Sequence, residues 1–394
     1  MAAATKKETL RVLGTQATLL EPIRRQAEAD LGVKIVYEVL DGVSAQQKAV
    51  TDPLSFDIYD QWFNSAELVW TAGSLQPIEL KRIDLWDKVS DLTKKGRLTA
   101  HAKLGQGVNP VSRLYVKSDK SLGPQPSDWI SMLPTAHNVD SFGYHPKIRK
   151  DLGPDEPESW SWLLDKRWRG KVAILSDPAI GAVDIALALQ AGGRLEFDDI
   201  GNMTIEEIDA LFALLTELRG GGHFRATWSS IPESVQVMER SNVLLANLWS
   251  PAITMLRARH KSLVYASPVE GYRGWHSGIG LSSRLEPKRR DLAYDYLNWW
   301  LSGPAGAIVA RQGYYMSVLD TTREQLTQDE WAYWYEGAPA ACDLCDPQGA
   351  VVVQAGELRD GGSYWKRLSN IAVWNAVMDE HNYLVRRWNE FLLS

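Results

Sequence analysis

A short apolar run from Leu10 to Gly14 closes on a glycine, and apolar residues then return at helical spacing from Leu19 to Leu31 until Gly32 stops the pattern. Val33 to Val39 alternates as a strand should, so the three segments predict a β-α-β unit. A second helix around Ala45 to Val50 leads to a strand at Phe56 to Asp60 and then to an aromatic loop, Gln61-Trp62-Phe63-Asn64. Strands that alternate with helices imply a parallel sheet flanked by helices, with ligands bound beyond the carboxyl ends of the strands.

The same alternation resumes after a Pro- and Gly-rich stretch. Trp168 to Leu175 reads as a loop feeding a strand, and Ser176-Asp177-Pro178 opens a helix over Ala179 to Ala191, since a carboxylate can cap free N–H groups and proline fits a first turn. Ile205 to Leu218 is amphipathic and ends at Gly220-Gly221-Gly222. Ser241 to Trp249 reads as a buried strand that ends on tryptophan, followed by a helix from Pro251 to Arg259. Turn residues dominate Arg323 to Gly362, whereas Ser363 to Leu393 carries apolar residues at helical spacing and predicts one or two helices packed on a lobe.

Length sharpens this picture, because 394 residues exceed what one compact core serves and two lobes are expected. Apolar residues make up 45% and charged residues 23%, the balance of an ordinary soluble chain, and no apolar stretch is long enough to span a bilayer. A net charge of −6 without a long basic run argues against nucleic acid as a partner. Met1 to Lys7 carries lysines but no apolar export segment, which fits a cytoplasmic chain or an exported one whose signal has been removed. Cys342 and Cys345 precede a turn sequence instead of opening a helix, so a local disulfide in an exported protein is favoured over a redox motif.

Enzyme signatures are absent: there is no Gly-x-Gly-x-x-Gly after the first strand, no phosphate-binding loop and no Gly-x-Ser-x-Gly elbow. None of the seven histidines pairs at i, i+4, and acid pairs such as Glu206-Glu207 sit at helix starts, where they oppose the helix dipole. No catalytic residue, metal or cofactor is therefore expected. The anomaly is 17 tryptophans. Most, including Trp299 and Trp300, read as packing, but Trp62 and Phe63, Trp249, Trp275 and Tyr314 fall at predicted strand or helix ends, where converging loops would wall an aromatic pocket.

Four stretches resemble the periplasmic solute-binding proteins of bacterial ABC importers, and among them the spermidine/putrescine-binding group. Leu31 to Tyr37 with Phe56 to Tyr59 and Gly73 to Ile78 is similar to that family's first lobe, and Trp168-Arg169-Gly170-Lys171-Val172 to the opening of its second. Ala246 to Trp249 and Glu270 to Trp275 resemble its ligand-wall strand and return crossing, and Ala293 to Tyr314 its closing helix pair. The resemblance implies an α/β, two-lobed type II periplasmic-binding-protein fold, each lobe a mixed, mostly parallel sheet flanked by helices, with an added helical tail. Residues 1–141 and 276–317 would form the first lobe, and 142–275 and 318–394 the second, with crossings near Ser141, Trp275 and Met316.

Position by position, the resemblance carries over Trp249 and Trp275 as aromatic walls and Asp177 as a carboxylate. Ser277 stands where the family has a second acid, and Gln16 lies where its first-loop aromatics stand. Keeping the aromatics while losing an acid suits a solute with one cationic or apolar group in an aromatic box, such as a quaternary amine, a zwitterion or an amino-acid or opine-like conjugate. Arg273 could pair with a solute carboxylate, although an exposed loop arginine is the commoner role, and Asn64 and His137 could supply neutral hydrogen bonds. The implied protein is a monomeric periplasmic solute carrier that hands its small-molecule ligand to an inner-membrane ABC permease and catalyses nothing. Polyamine binding is the nearest alternative. A carbohydrate-active enzyme, or a ferric-ion carrier using Tyr314 and Tyr315, belongs to other classes.

Overall fold

The computed structural model describes residues 8–153, 155–240 and 242–394. The terminal Met1 to Lys7 and Ser241, the first residue of the strand expected before Trp249, lie outside the described residues. In chain order the elements that build the fold are β1 (Thr9–Gly14), α1 (Glu21–Leu31), β2 (Lys34–Val39), α2 (Gly42–Thr51), β3 (Ile58–Trp62) and α3 (Phe63–Thr71). Then come β4 (Leu133–Tyr144), β5 (Val172–Leu175), α4 (Pro178–Ala191), α5 (Ile205–Gly220), β6 (Phe224–Trp228), β7 (Leu245–Leu248) and α6 (Ser250–Ala258). The chain finishes with β8 (Tyr272–Ser282), α7 (Arg290–Leu301), α8 (Pro304–Ala310), β9 (Tyr315–Met316), β10 (Ile371–Trp374) and α9 (His381–Leu393).

Two compact units form. Unit 1 holds the chain up to Thr99, Pro110–Asn138 and Trp275–Gln328; unit 2 holds Ala100–Asn109, Val139–Gly274 and Asp329–Ser394. Within β4 and β8 the chain passes from one unit to the other after Asn138 and Gly274. The third passage falls at Gln328, beyond the position near Met316 expected from sequence, and residues 100–109 also belong to unit 2. The cause of that excursion is a ladder: Gln106 and Gly107 pair in parallel with Val373 and Trp374.

In unit 1, β2, β1 and β3 run parallel, with Val12 opposite both Tyr37 and Ile58. The second half of β8 closes this sheet antiparallel to β3, setting Ser277 against Trp62 and Ile279 against Asp60. Local chemistry decides the ends: Gly32 takes φ +69 to stop α1, and the Asp41 carboxylate accepts from the Ser44 amide to start α2. Trp299 and Trp300 are buried in this unit's core, in the packing role assigned to them.

In unit 2, β5 is parallel to β6 and β7, and β7 is antiparallel to the end of β4, with Asn247 opposite Phe142. Thr204 and Glu207 form a reciprocal capping box at the start of α5. Trp160, Trp162, Trp168 and Trp388 fill the core. The tail differs from its predicted helices: only α9 is a long helix, while Ile371–Trp374 is a strand paired with Tyr272, Arg273 and Gly274. The turn-rich segment packs on α6, fastened by the Arg257–Asp360 ion pair at 2.6 Å. Cys342 and Cys345 stand as free thiols instead of the expected disulfide. Among the described residues, no helix is long and apolar enough to cross a membrane.

Candidate functional site

Unit 1 brings two of the sequence-selected rings together. Trp275 and Tyr314 meet edge to face with centroids 5.0 Å apart and planes at 87°. Trp275 lies inside a strand and not in the loop expected from sequence; Tyr314 sits in the turn after α8, its amide donating to Val309 O at 3.1 Å. Trp62 is half-buried, its ring laid on Gly42, where an added Cβ would come within 2.7 Å of the indole. Asn64 is also half-buried, on the first turn of a helix, while Gln16 is exposed in the turn after β1.

Phe63 and His137 go elsewhere. His137 stacks on His276 at 4.9 Å, and Phe63 meets His276 edge to face at 5.6 Å, so both belong to a fully buried ring stack. Burial depresses the pKa of both histidines, His276 to about 4, so its ring is neutral. The carbonyl of Ser277 can only accept, which places the proton of His276 on Nδ1 (2.8 Å) and leaves Nε2 to accept from the Thr93 hydroxyl at 2.7 Å. Ser277 itself is buried.

Sequence reasoning missed Asp60, at the centre of β3. It is fully buried, Thr18 Oγ1 donates to Oδ1 at 2.8 Å, and desolvation lifts its pKa to about 7. The available signal was an acid directly after the apolar pair Ile58-Tyr59 in a segment read as a strand.

Unit 2 supplies a second aromatic pair. Trp249, half-buried at the start of α6, meets Trp228 edge to face at 5.0 Å and 85°. Trp228, at the end of β6, was not singled out from sequence. Asp177 caps α4 as expected, Oδ1 accepting from the Ile180 amide at 2.9 Å, and burial still raises its pKa. Arg273 departs furthest from expectation. It is buried within β8, with Nε donating to Asp184 Oδ1 at 2.7 Å, another nitrogen to Asn375 Oδ1 at 2.9 Å, and a third 3.5 Å from Asp140 Oδ2. Its fork is already occupied by protein acceptors. Among the described residues, no group of three His, Cys, Asp or Glu is placed to hold a metal ion.

Solved structures reproduce this chain trace almost end to end. A candidate spermidine/putrescine ABC transporter from Listeria monocytogenes superposes with TM-score 0.66 at 14% identity, covering 98% of this chain and 99% of that one. The spermidine/putrescine substrate-binding protein PotD of Streptococcus pneumoniae gives 0.62 at 14%, with 98% of each chain covered. The protein MotA of A. tumefaciens, solved with glucopine, gives 0.58 at 14%, over 98% of this chain and 99% of that one. The fold is that of a type II periplasmic binding protein. No protein-family model and no curated protein matches the sequence. In open α/β sheets ligands bind beyond the carboxyl ends of the strands, and Trp62, Trp249, Trp228 and Asp177 follow or end such strands.

Proposed function

We propose that this chain is the solute-binding component of an ABC-type importer, carrying a small organic solute with a cationic head to a membrane permease outside the cytoplasm, without making or breaking a bond. The observation that carries the proposal is the pair of edge-to-face aromatic contacts, Trp275–Tyr314 in unit 1 and Trp228–Trp249 in unit 2, on a fold whose structural neighbours bear transport names. Indole faces hold a cation through the ring quadrupole, which asks for no acceptor atom. The residues carried into this reading, each within its own unit, are Trp249 and Asp177 in unit 2 and Trp62, Trp275 and Tyr314 in unit 1.

Arg273 does not take part as a carboxylate receptor, since Asp184, Asn375 and Asp140 hold it. An amino-acid or opine-like conjugate is thereby disfavoured relative to a plain amine. The neighbours' names, spermidine/putrescine for two and glucopine for a third, keep a polyamine as the second reading.

The test is a titration of purified protein with trimethylammonium compounds, putrescine, spermidine, amino-acid conjugates and sugars, followed by tryptophan emission and melting temperature. Saturating amine at about 100 times Kd should stabilise the fold by roughly 2.7 kcal/mol, and a trimethylammonium solute should bind more tightly than its primary-amine counterpart. Trp249→Ala should remove the response and leave the fold intact, and Trp275, buried in unit 1's core, is tested by Trp275→Phe, which keeps an aromatic ring there and should weaken the response. Silence across the whole panel refutes the proposal, and turnover of a glycoside would replace it with an enzyme.

A further inference from the structure

We propose that Asp184, Asn247 and Arg273 form a positioning cluster that sets the solute-facing geometry of unit 2, and that their value lies in orientation and not in stability; the solute part of this rests on the reading above. Ile180 through Leu189 of α4 are all buried, and Asp184 is the one charged residue of that helix. A carboxylate in such a place is expensive to bury unless both oxygens are engaged. They are: Oδ1 accepts from Arg273 Nε at 2.7 Å and Oδ2 from Asn247 Nδ2 at 2.7 Å.

What those bonds join is specific. The ladder between β5 and β7 has its last partners at Ala173 and Ala246, so the strand ends beyond that point are not tied to each other through backbone pairing. There the Asn247 side chain takes over, its Oδ1 accepting from the Leu175 amide at 2.9 Å. Leu175 stands two residues before Asp177, and Asn247 two before Trp249. One asparagine amide thus fixes the strand end that carries the aromatic wall, the strand end that leads to Asp177, and the helix that Asp177 caps. Arg273 ties the same carboxylate to β8, and through Asn375 and Asp140 to the end of β10 and to β4. Apolar side chains of similar volume could fill this space with little loss of stability, but their contacts are non-directional and would not fix the angle between β7 and α4.

The experiment uses the full chain labelled with 5-fluorotryptophan, the Trp249 resonance being assigned by its loss in Trp249→Phe. The double variant Asp184→Leu/Arg273→Met removes the Asp184–Arg273 pair and leaves Asp140 with the Tyr265 hydroxyl still donating to it, and Asn247→Leu removes the stitch while the ion pair stays. Each variant is expected to melt cooperatively, to shift the Trp249 fluorine resonance without solute, and to bind the best amine of the panel at least about ten-fold more weakly than wild type. Arg273→Lys, which keeps the charge without the fork, should fall between. A folded variant with an unmoved Trp249 resonance overturns the positioning role, as does undiminished affinity. If the double variant does not fold, Asn247→Leu decides by the same two readings. If wild type binds nothing, the transport reading fails, whereas the fluorine shift still decides the cluster.

Discussion

Replacing Asp60 by asparagine should stabilise the protein at neutral pH by an amount that disappears in acid. The carboxyl is 0% exposed, and beyond the Thr18 hydroxyl its second oxygen has no hydrogen-bond partner among the described residues. Burial raises its pKa from 3.8 to about 7. Between those values the folded protein keeps a proton that the unfolded chain releases, so this group's contribution is full below pH 3.8 and is lost as pH rises to about 7. Roughly three pH units at 1.36 kcal/mol each give a loss of about 4 kcal/mol. Asparagine matches the protonated acid in shape, can accept from Thr18, and does not titrate. The difference in unfolding free energy between variant and wild type should therefore grow by about 4 kcal/mol from pH 4 to pH 7.5, measured by urea denaturation of both proteins. Taking the difference matters because His276 works the other way. Its pKa falls from 6.5 to about 4, so its contribution is full above pH 6.5 and about 3 kcal/mol is lost on acidification to pH 4. The two groups nearly offset each other in wild type. Parallel urea profiles at the two pH values would refute the reasoning, and so would a carbon-13 titration that finds the Asp60 carboxyl near 4.

Two packing predictions follow. Gly181→Ala gains helix propensity, but the new Cβ would lie 2.6 Å from the Trp388 ring and 2.7 Å from Leu175 O, so thermal denaturation should show a net loss of about 2 kcal/mol. Thr204→Ala deletes the hydroxyl that accepts from the Glu207 amide at 3.2 Å, and should cost about 1 kcal/mol in urea denaturation without affecting the solute response.

The first β-α-β-α-β run was legible because α1, β2 and α2 each have a solvated face, which makes a period visible, whereas β3, buried at four of its five positions, was legible from its place in the alternation of strands and helices. The helix cap at Asp177 was legible for a related reason, being a local contract between one side chain and the amides that follow it. β8 was not. All eleven of its positions are buried, so there is no alternation to read, and its glycines and polar residues resemble a loop. β4 hides in the same way, with twelve buried positions that include His137, Asn138 and Asp140. Ile371–Trp374 passed for helix because the strand it pairs with, Tyr272–Gly274, lies far back in the chain, and only tertiary pairing makes it a strand.

The site residues divide along the same line. Trp249 is half-buried against Trp228, whereas Trp275 and Tyr314 pack on each other as buried members of unit 1's core, which ring spacing alone could not tell. Phe63, His137 and Arg273 have the right chemistry in sequence, yet all three are fully buried and engaged with protein groups. Carrying a family's binding residues over by position assumes that the side chain is still available to a solute. Asp177 shows how that assumption weakens without any change of residue. One of its oxygens accepts from an amide at the start of α4, and burial pushes its pKa up, so as a counter-ion it is weaker than an exposed aspartate. A primary ammonium brings three donors that each need an acceptor, whereas a trimethylammonium group brings none and needs only aromatic surface. On the function proposed above, Ser277 stands where the resembling family has a second acid and Arg273 is committed to Asp184, so that reading leaves few acceptors beside the half-buried Trp62 and Trp249. Selectivity for a methylated over a primary amine is then the direction in which this balance of acceptors and aromatic faces should drive the protein.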